Sequence, residues 1–258
     1  MKLNVVPART GSAWVRQGIR NFWRQPLALS GLFLLFMALA SITSMLSYGG
    51  TFLGLMFIPA ASLGLMAAAR EADLGRFPMP SMLIIAFKQS AAQSKTMVLM
   101  GFFYGLLFCF VLVMSSFFDN GEFARIYMAG NGMGEDNLLN EHFQTAAVFT
   151  LLMYLPLSSL FWHAPALVHW HAQPLAKSIF FSFMACWANW RAFAVFALTW
   201  SAIFLTTSVL LSLISMLLED GQISMMLMLP AMLMLATMFF TSSYYSFRDC
   251  FISEPVLA

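Results

Sequence analysis

The chain has 258 residues, of which 60% are apolar and only 9% charged. Soluble domains run at about 45–50% apolar and about 25% charged. Composition therefore excludes an ordinary soluble enzyme, a disordered regulator and a nucleic-acid-binding domain, and points to a polytopic membrane protein.

The first segment is basic, with Lys2, Arg9, Arg16, Arg20 and Arg24, and it leads into an apolar run from Pro26 to about Tyr48. That run exceeds the roughly 7–15 residues of a cleavable signal core, so it reads as a retained anchor. Five more charge-free stretches follow: Gly50–Ala69, Thr96–Phe118, Thr145–Val168, Ala192–Leu218 and Ile223–Phe247. Each is long enough to cross a hydrocarbon core of about 30 Å at about 1.5 Å per residue. Each must be helical, because lipid cannot satisfy an open backbone. Tyr48, Gly49 and Gly50 leave only a tight turn between the first two spans. The expected fold is all-α, with six transmembrane helices arranged as three hairpins.

Charge placement sets the orientation. Twelve of the thirteen basic residues fall on one side: the five before the first span, then Arg70, Arg76, Lys88, Lys95, Lys177, Arg191 and Arg248. The other side holds Arg125 alone, with Asp119, Glu122, Glu135, Asp136, Glu141, Glu219 and Asp220. Basic loops stay inside. Both termini are thus expected in the cytoplasm of a bacterial inner membrane. No pair of the three cysteines, Cys109, Cys186 and Cys250, sits on an oxidising face, which argues against a disulfide framework.

The inside loops carry a pattern of their own. From Trp14 to Arg24, one helical face holds Trp14, Val15, Gly18, Ile19, Phe22 and Trp23, and the other holds Arg16, Gln17, Arg20, Asn21 and Arg24. Aromatics opposite cations describe an interfacial helix lying on an anionic leaflet. Similar helices are expected over Ser81–Lys95 and Leu175–Arg191, each following a proline and passing into an odd-numbered span. The unit of interfacial helix, span, outside turn and span then occurs three times within one membrane domain, at about 12–79, 80–173 and 174–250. Asn21-Phe22-Trp23-Arg24 and Asn189-Trp190-Arg191 mark equivalent places, as do Pro59, Pro156 and Pro230 in the even-numbered spans. The cations expected at the membrane surface are Arg16, Arg20, Arg24, Lys88, Lys95, Lys177 and Arg191.

The opening Met-Lys-Leu-Asn-Val-Val-Pro-Ala-Arg-Thr-Gly, followed by Trp-Val-Arg-Gln-Gly-Ile-Arg and Phe-Trp-Arg-Gln-Pro-Leu-Ala-Leu, resembles a family of uncharacterised six-span proteobacterial inner-membrane proteins. Ala-Arg-Glu-Ala-Asp-Leu-Gly-Arg-Phe-Pro-Met-Pro-Ser, ending at Ser81, resembles that family's second inside loop. More distantly, the repeated unit is similar to the membrane domain found with some bacterial glycerophosphodiester phosphodiesterases. The resemblance implies fold, compartment and bacterial origin, but no activity. No catalytic phosphodiesterase domain is expected, since little of the chain lies outside the membrane.

Reactive constellations are scarce. His163, His169 and His171 cluster in Phe-Trp-His-Ala-Pro-Ala-Leu-Val-His-Trp-His and are the weak candidates for metal or haem ligation. His163 and His169 stand roughly 240° apart around a regular helix, so they face different ways, and an interfacial belt is the simpler assignment. Met225, Met226, Met228, Met232, Met234 and Met238 crowd the sixth span. Soft sulfur suits Cu(I), but flexible apolar packing explains the crowding more simply. No span carries Asp, Glu, Lys or Arg, which weakens the case for an ion-coupled transporter. The loop Asp119–Glu141 reads as a solvated cap or docking surface, with a cation site as the lesser reading. Gly50, Gly54, Ala60, Gly64 and Ala68, with Gly101 and Gly105, form small-residue faces for close helix packing.

The sequence thus predicts a non-enzymatic structural or accessory protein of a membrane complex or of the bilayer, without a cofactor. Its partners would be lipids of the anionic inner leaflet, and other membrane subunits or a second copy of itself, and not nucleic acid. The alternatives are a transporter or channel for a lipid, small solute or metal ion, and a haem- or metal-binding membrane protein.

Overall fold

The computed structural model describes residues 2–44, 47–129, 140–218 and 221–252. In chain order its elements are β1 (Lys2–Leu3), α1 (Thr10–Arg24), α2 (Pro26–Ser44), α3 (Ser47–Asp73), a 3-10 stretch (Pro80–Phe87), α4 (Ala91–Asp119) and α5 (Glu122–Ala129). They continue with α6 (Glu141–Phe161), α7 (Ala164–His171), α8 (Leu175–Ala188), α9 (Trp190–Leu218), α10 (Gly221–Cys250) and β2 (Phe251–Ile252). Among the described residues, six runs are long and apolar enough to cross a membrane: α2, α3, α4, α6 with α7, α9 and α10. The chain is an all-α polytopic membrane protein.

Its surface is apolar where a soluble domain's is polar, and its apolar core includes buried hydroxyls. Leu198 and Leu205 of α9 are 70% and 68% exposed, whereas Ser242 and Ser246 of α10 are completely buried. The buried hydroxyls are satisfied locally: Thr241 donates to the Met238 carbonyl at 2.8 Å and Ser246 to the Ser243 carbonyl at 2.7 Å. Such back-bonding lets a polar side chain sit in an apolar environment without an orphaned donor. The bare apolar surface is the surface a lipid solvent would cover.

The chain divides into two compact units. The first comprises Met1–Leu35, Gly64–Leu83 and Met184–Ala258, and the second Phe36–Leu63 and Ile84–Phe183. In the first, α1 packs on α10 and α9. A Cβ on Gly18 would lie 2.5 Å from Ser242 Cβ, so only glycine permits this approach of α1 to α10. The Trp14 ring packs on Phe193 at 5.2 Å and Phe196 at 6.1 Å. Trp14, Val15, Gly18 and Phe22, on the face assigned above to the leaflet, are buried in this way, while Trp23 is exposed. Amphipathic spacing identifies a helix that needs an apolar partner. It does not say whether that partner is lipid or protein.

The first unit also carries the short antiparallel pair, Lys2 opposite Ile252 and Leu3 opposite Phe251. Asn189 fastens the following residues, accepting from Val6 N–H at 2.7 Å and donating to the Asn4 carbonyl at 3.0 Å.

In the second unit α4 packs against α5, α6 and α7. Gly101 lies so close to the Met56 carbonyl that a side chain there has no room. Tyr104 meets Phe161 edge to face at 5.2 Å.

Several boundaries differ from expectation. Tyr48, Gly49 and Gly50 already belong to α3 rather than to a turn, and the linking Met45 and Leu46 lie outside the described residues. No continuous helix covers Ser81–Lys95. The 3-10 stretch ends at Phe87, and Ser90 starts α4 by accepting from Gln93 N–H at 3.3 Å, a helix-capping contact. The fourth span is two helices. Pro165 has no N–H to continue α6, and α7 begins at Ala164 with that proline in its first turn. The start of the expected cap is ordered: Asp119 is buried and its carboxylate accepts from Gly121 N–H at 2.9 Å and Phe123 N–H at 2.6 Å, starting α5. The glycine-rich run, Glu135 and Asp136 lie outside the described residues, as do Glu219 and Asp220.

Candidate functional site

The first unit holds an open cavity of about 240 Å³. Gln17, Arg20, Asn21 and Arg24 line it from α1, Asp73 from the end of α3, and Tyr245 and Arg248 from the end of α10. The residues on α1 follow from helical geometry. Positions 17, 20, 21 and 24 repeat at three and four residues, which stacks them on one face. With the opposite face anchored by Trp14 and Phe22, this polar face is held in a fixed direction.

Asp73 is the hub. Its Oδ1 accepts from Arg24 Nη1 at 3.0 Å and from the Tyr245 hydroxyl at 3.0 Å, and Arg248 Nη1 lies 3.9 Å from Oδ2. Arg24 Nη1 also donates to the Asp73 carbonyl at 2.9 Å, so the arginine closes the C-terminal end of α3. Arg248 donates Nη2–H to Gln17 Oε1 at 2.8 Å and Nε–H to Asp249 Oδ1 at 3.0 Å, and lies over the Tyr245 ring at 4.8 Å. Asp249 in turn accepts from Trp14 Nε1–H at 2.9 Å.

Two groups at the cavity are left over. Arg20 is exposed and meets no acceptor among the described residues. Asn21 is 1% exposed; its amide donates to the Ala69 carbonyl at 2.8 Å, and its Oδ1 is buried without a partner among the described residues. Three arginines against one aspartate give the lining a positive balance.

The histidines stand elsewhere, in the second unit. His163 is fully buried at the break between α6 and α7, where its backbone N–H donates to Ser182 Oγ at 2.9 Å. His169 Nε2 lies 3.2 Å from Gln89 Nε2, and His171 is half-buried at the end of α7. Among the described residues, no three His, Cys, Asp or Glu side chains converge as metal ligands. Arg16, Arg20, Arg24, Lys88, Lys95, Lys177 and Arg191 are all exposed.

The sequence reading picked out Arg20 and Arg24 but passed over Gln17, Asp73, Tyr245, Arg248 and Asp249 as site residues. A signal for two of these was present. Seven of the eleven acids fall in the segments assigned above to the side of Arg125, and Asp73 and Asp249 are among the four left with the cations. An acid in a basic neighbourhood invites the question of what it pairs with.

A protein of Burkholderia thailandensis named as a probable inner membrane protein is 33% identical to this chain over 259 aligned residues, covering 99% of this chain and 96% of that protein. The chain belongs to that protein's family. Membership spans both units and every element described above. The family resemblance read from the opening residues and the second inside loop is thus shown along the whole chain. With its six spanning-length helices, the chain is a membrane protein of an inner-membrane family. No family model matches it, and no solved structure does.

Proposed function

We propose that the protein is a non-catalytic accessory component of the inner membrane, with both termini cytoplasmic, that works by associating with anionic phospholipid of the inner leaflet. The observation that carries this reading is the mounting of the cations. α1 buries Trp14, Val15, Gly18 and Phe22 in its own unit and leaves Arg16, Arg20 and Arg24 exposed, while Lys88, Lys95, Lys177 and Arg191 are exposed as well. A cation near an anionic leaflet contributes about 1 kcal/mol, within a Debye length of about 8–10 Å. Several of them carried by membrane-embedded helices give an integral protein a lasting preference for anionic neighbours.

The test replaces Arg16, Lys88, Lys95, Lys177 and Arg191 together with glutamine. Wild type and variant are reconstituted in nanodiscs of mixed phosphatidylcholine and phosphatidylglycerol, and the lipid belt is quantified. Wild type should enrich phosphatidylglycerol over the input ratio, and the variant should return towards it. Equal enrichment in both would remove the basis of the reading.

A further inference from the structure

We propose that the cavity between α1 and the ends of α3 and α10 is a single-occupancy site for a phosphate ester that also carries a hydrogen-bond donor, such as a hydroxyl or ammonium group. Charge supplies the first half of this assignment. Asp73 is matched by Arg24 at 3.0 Å and Arg248 is matched by Asp249 at 3.0 Å, which leaves Arg20 as a lining cation with nothing opposite it among the described residues. Arg24 bonds through Nη1 alone, so its remaining N–H groups stay available for the forked contacts that arginine makes to phosphate.

The donor requirement comes from Asn21. Its amide is fixed by the bond to the Ala69 carbonyl, which leaves Oδ1 as a buried acceptor with no donor among the described residues. A buried acceptor without a partner is unfavourable, and a ligand hydroxyl or ammonium would satisfy it. A phosphodiester group alone would not, because it carries only acceptors. Size agrees. At about 240 Å³ the cavity is smaller than the roughly 300–1,000 Å³ of sites for drug-sized molecules, and suits a headgroup rather than a whole lipid. Both a phospholipid headgroup and a soluble phosphate ester have this chemistry.

The inference deepens the association reading and rests on it only for the lipid as the source of the ligand. Full-length protein in detergent is titrated with phosphatidylglycerol, phosphatidylcholine and glycerol 3-phosphate, and bound species are counted by native mass spectrometry. Phosphatidylglycerol should give one saturable adduct, with phosphatidylcholine, which lacks a headgroup donor, about tenfold weaker. Arg20→Gln should weaken the phosphatidylglycerol adduct about tenfold without changing the melting midpoint, because Arg20 makes no bond within the described fold, and Arg20→Lys should restore part of it. Displacement by glycerol 3-phosphate identifies soluble esters as a source, and its absence identifies the lipid; both outcomes support the site. An unchanged adduct in Arg20→Gln, or equal binding of the two lipids, overturns it. The fivefold glutamine variant spares the cavity, so it should keep the single adduct while losing the enriched belt. That separates failure of the site from failure of the leaflet reading.

Discussion

Asp73 receives Arg24 and Tyr245 and faces Arg248, so a single carboxylate joins side chains from α1, α3 and α10. Asp73→Asn keeps the shape and removes the charge, leaving two arginines without it. The expected cost is about 1–3 kcal/mol, read as a lower thermal midpoint in detergent. Cys186 offers a second check at this scale: burial pushes its thiol up to about 12. The thiolate is the reactive form, and an ordinary thiol titrates near about 8.5. At pH 8 Cys186 should therefore react with maleimide about a thousandfold more slowly than a free thiol, and the rate should rise about tenfold per pH unit. Full labelling in denaturant provides the control. The arginines of the cavity were legible as cations from sequence, but their assembly was not. Asp73 lies 49 positions from Arg24 and 172 from Tyr245, and periodicity within one helix carries no information at that range.

Among the elements, α1 illustrates both the power and the limit of pattern reading. Its two faces are legible in the spacing of Trp14, Gly18 and Phe22 against Arg16, Arg20 and Arg24. The identity of its apolar partner is set by Gly18 and Ser242, which meet only in the folded chain. Gly18→Leu should displace α1 from α10 and expose the N-terminal segment to limited proteolysis, whereas Arg16→Gln on the outward face should leave the digestion pattern unchanged. The expected helix over 81–95 failed for a local reason. Ser90 caps a fresh helix in mid-pattern, and the residues before it wind into a 3-10 stretch. The division of the fourth span into α6 and α7 was foreshadowed by Pro165. Its stabilisation was not, because Ser182, which accepts from His163 N–H and donates to the Ser159 carbonyl at 2.8 Å, belongs to α8.

For the whole molecule, the number of spanning helices was the most legible property, since it follows from length and apolarity alone. The orientation assigned by the twelve-to-one segregation of cations has a direct test. A reporter active only in the periplasm should be active when fused after Asn131 and silent when fused at the C-terminus. An active fusion at the C-terminus would reverse the assignment and take the proposed leaflet contact with it.

The pairing of Lys2–Leu3 with Phe251–Ile252 sets an order on biogenesis. Asn4 donates to the Asp249 carbonyl across 245 positions, and Trp14 of the first helix donates to the same residue's side chain. Asn4 is thus made before the residue it bonds to, which follows it by 245 positions. Until α10 is inserted, α1 lacks one of its two helical partners and β1 has no strand to pair with. The apolar face that α1 buries against α9 and α10 in the finished fold therefore stays uncovered until both of those helices have been made.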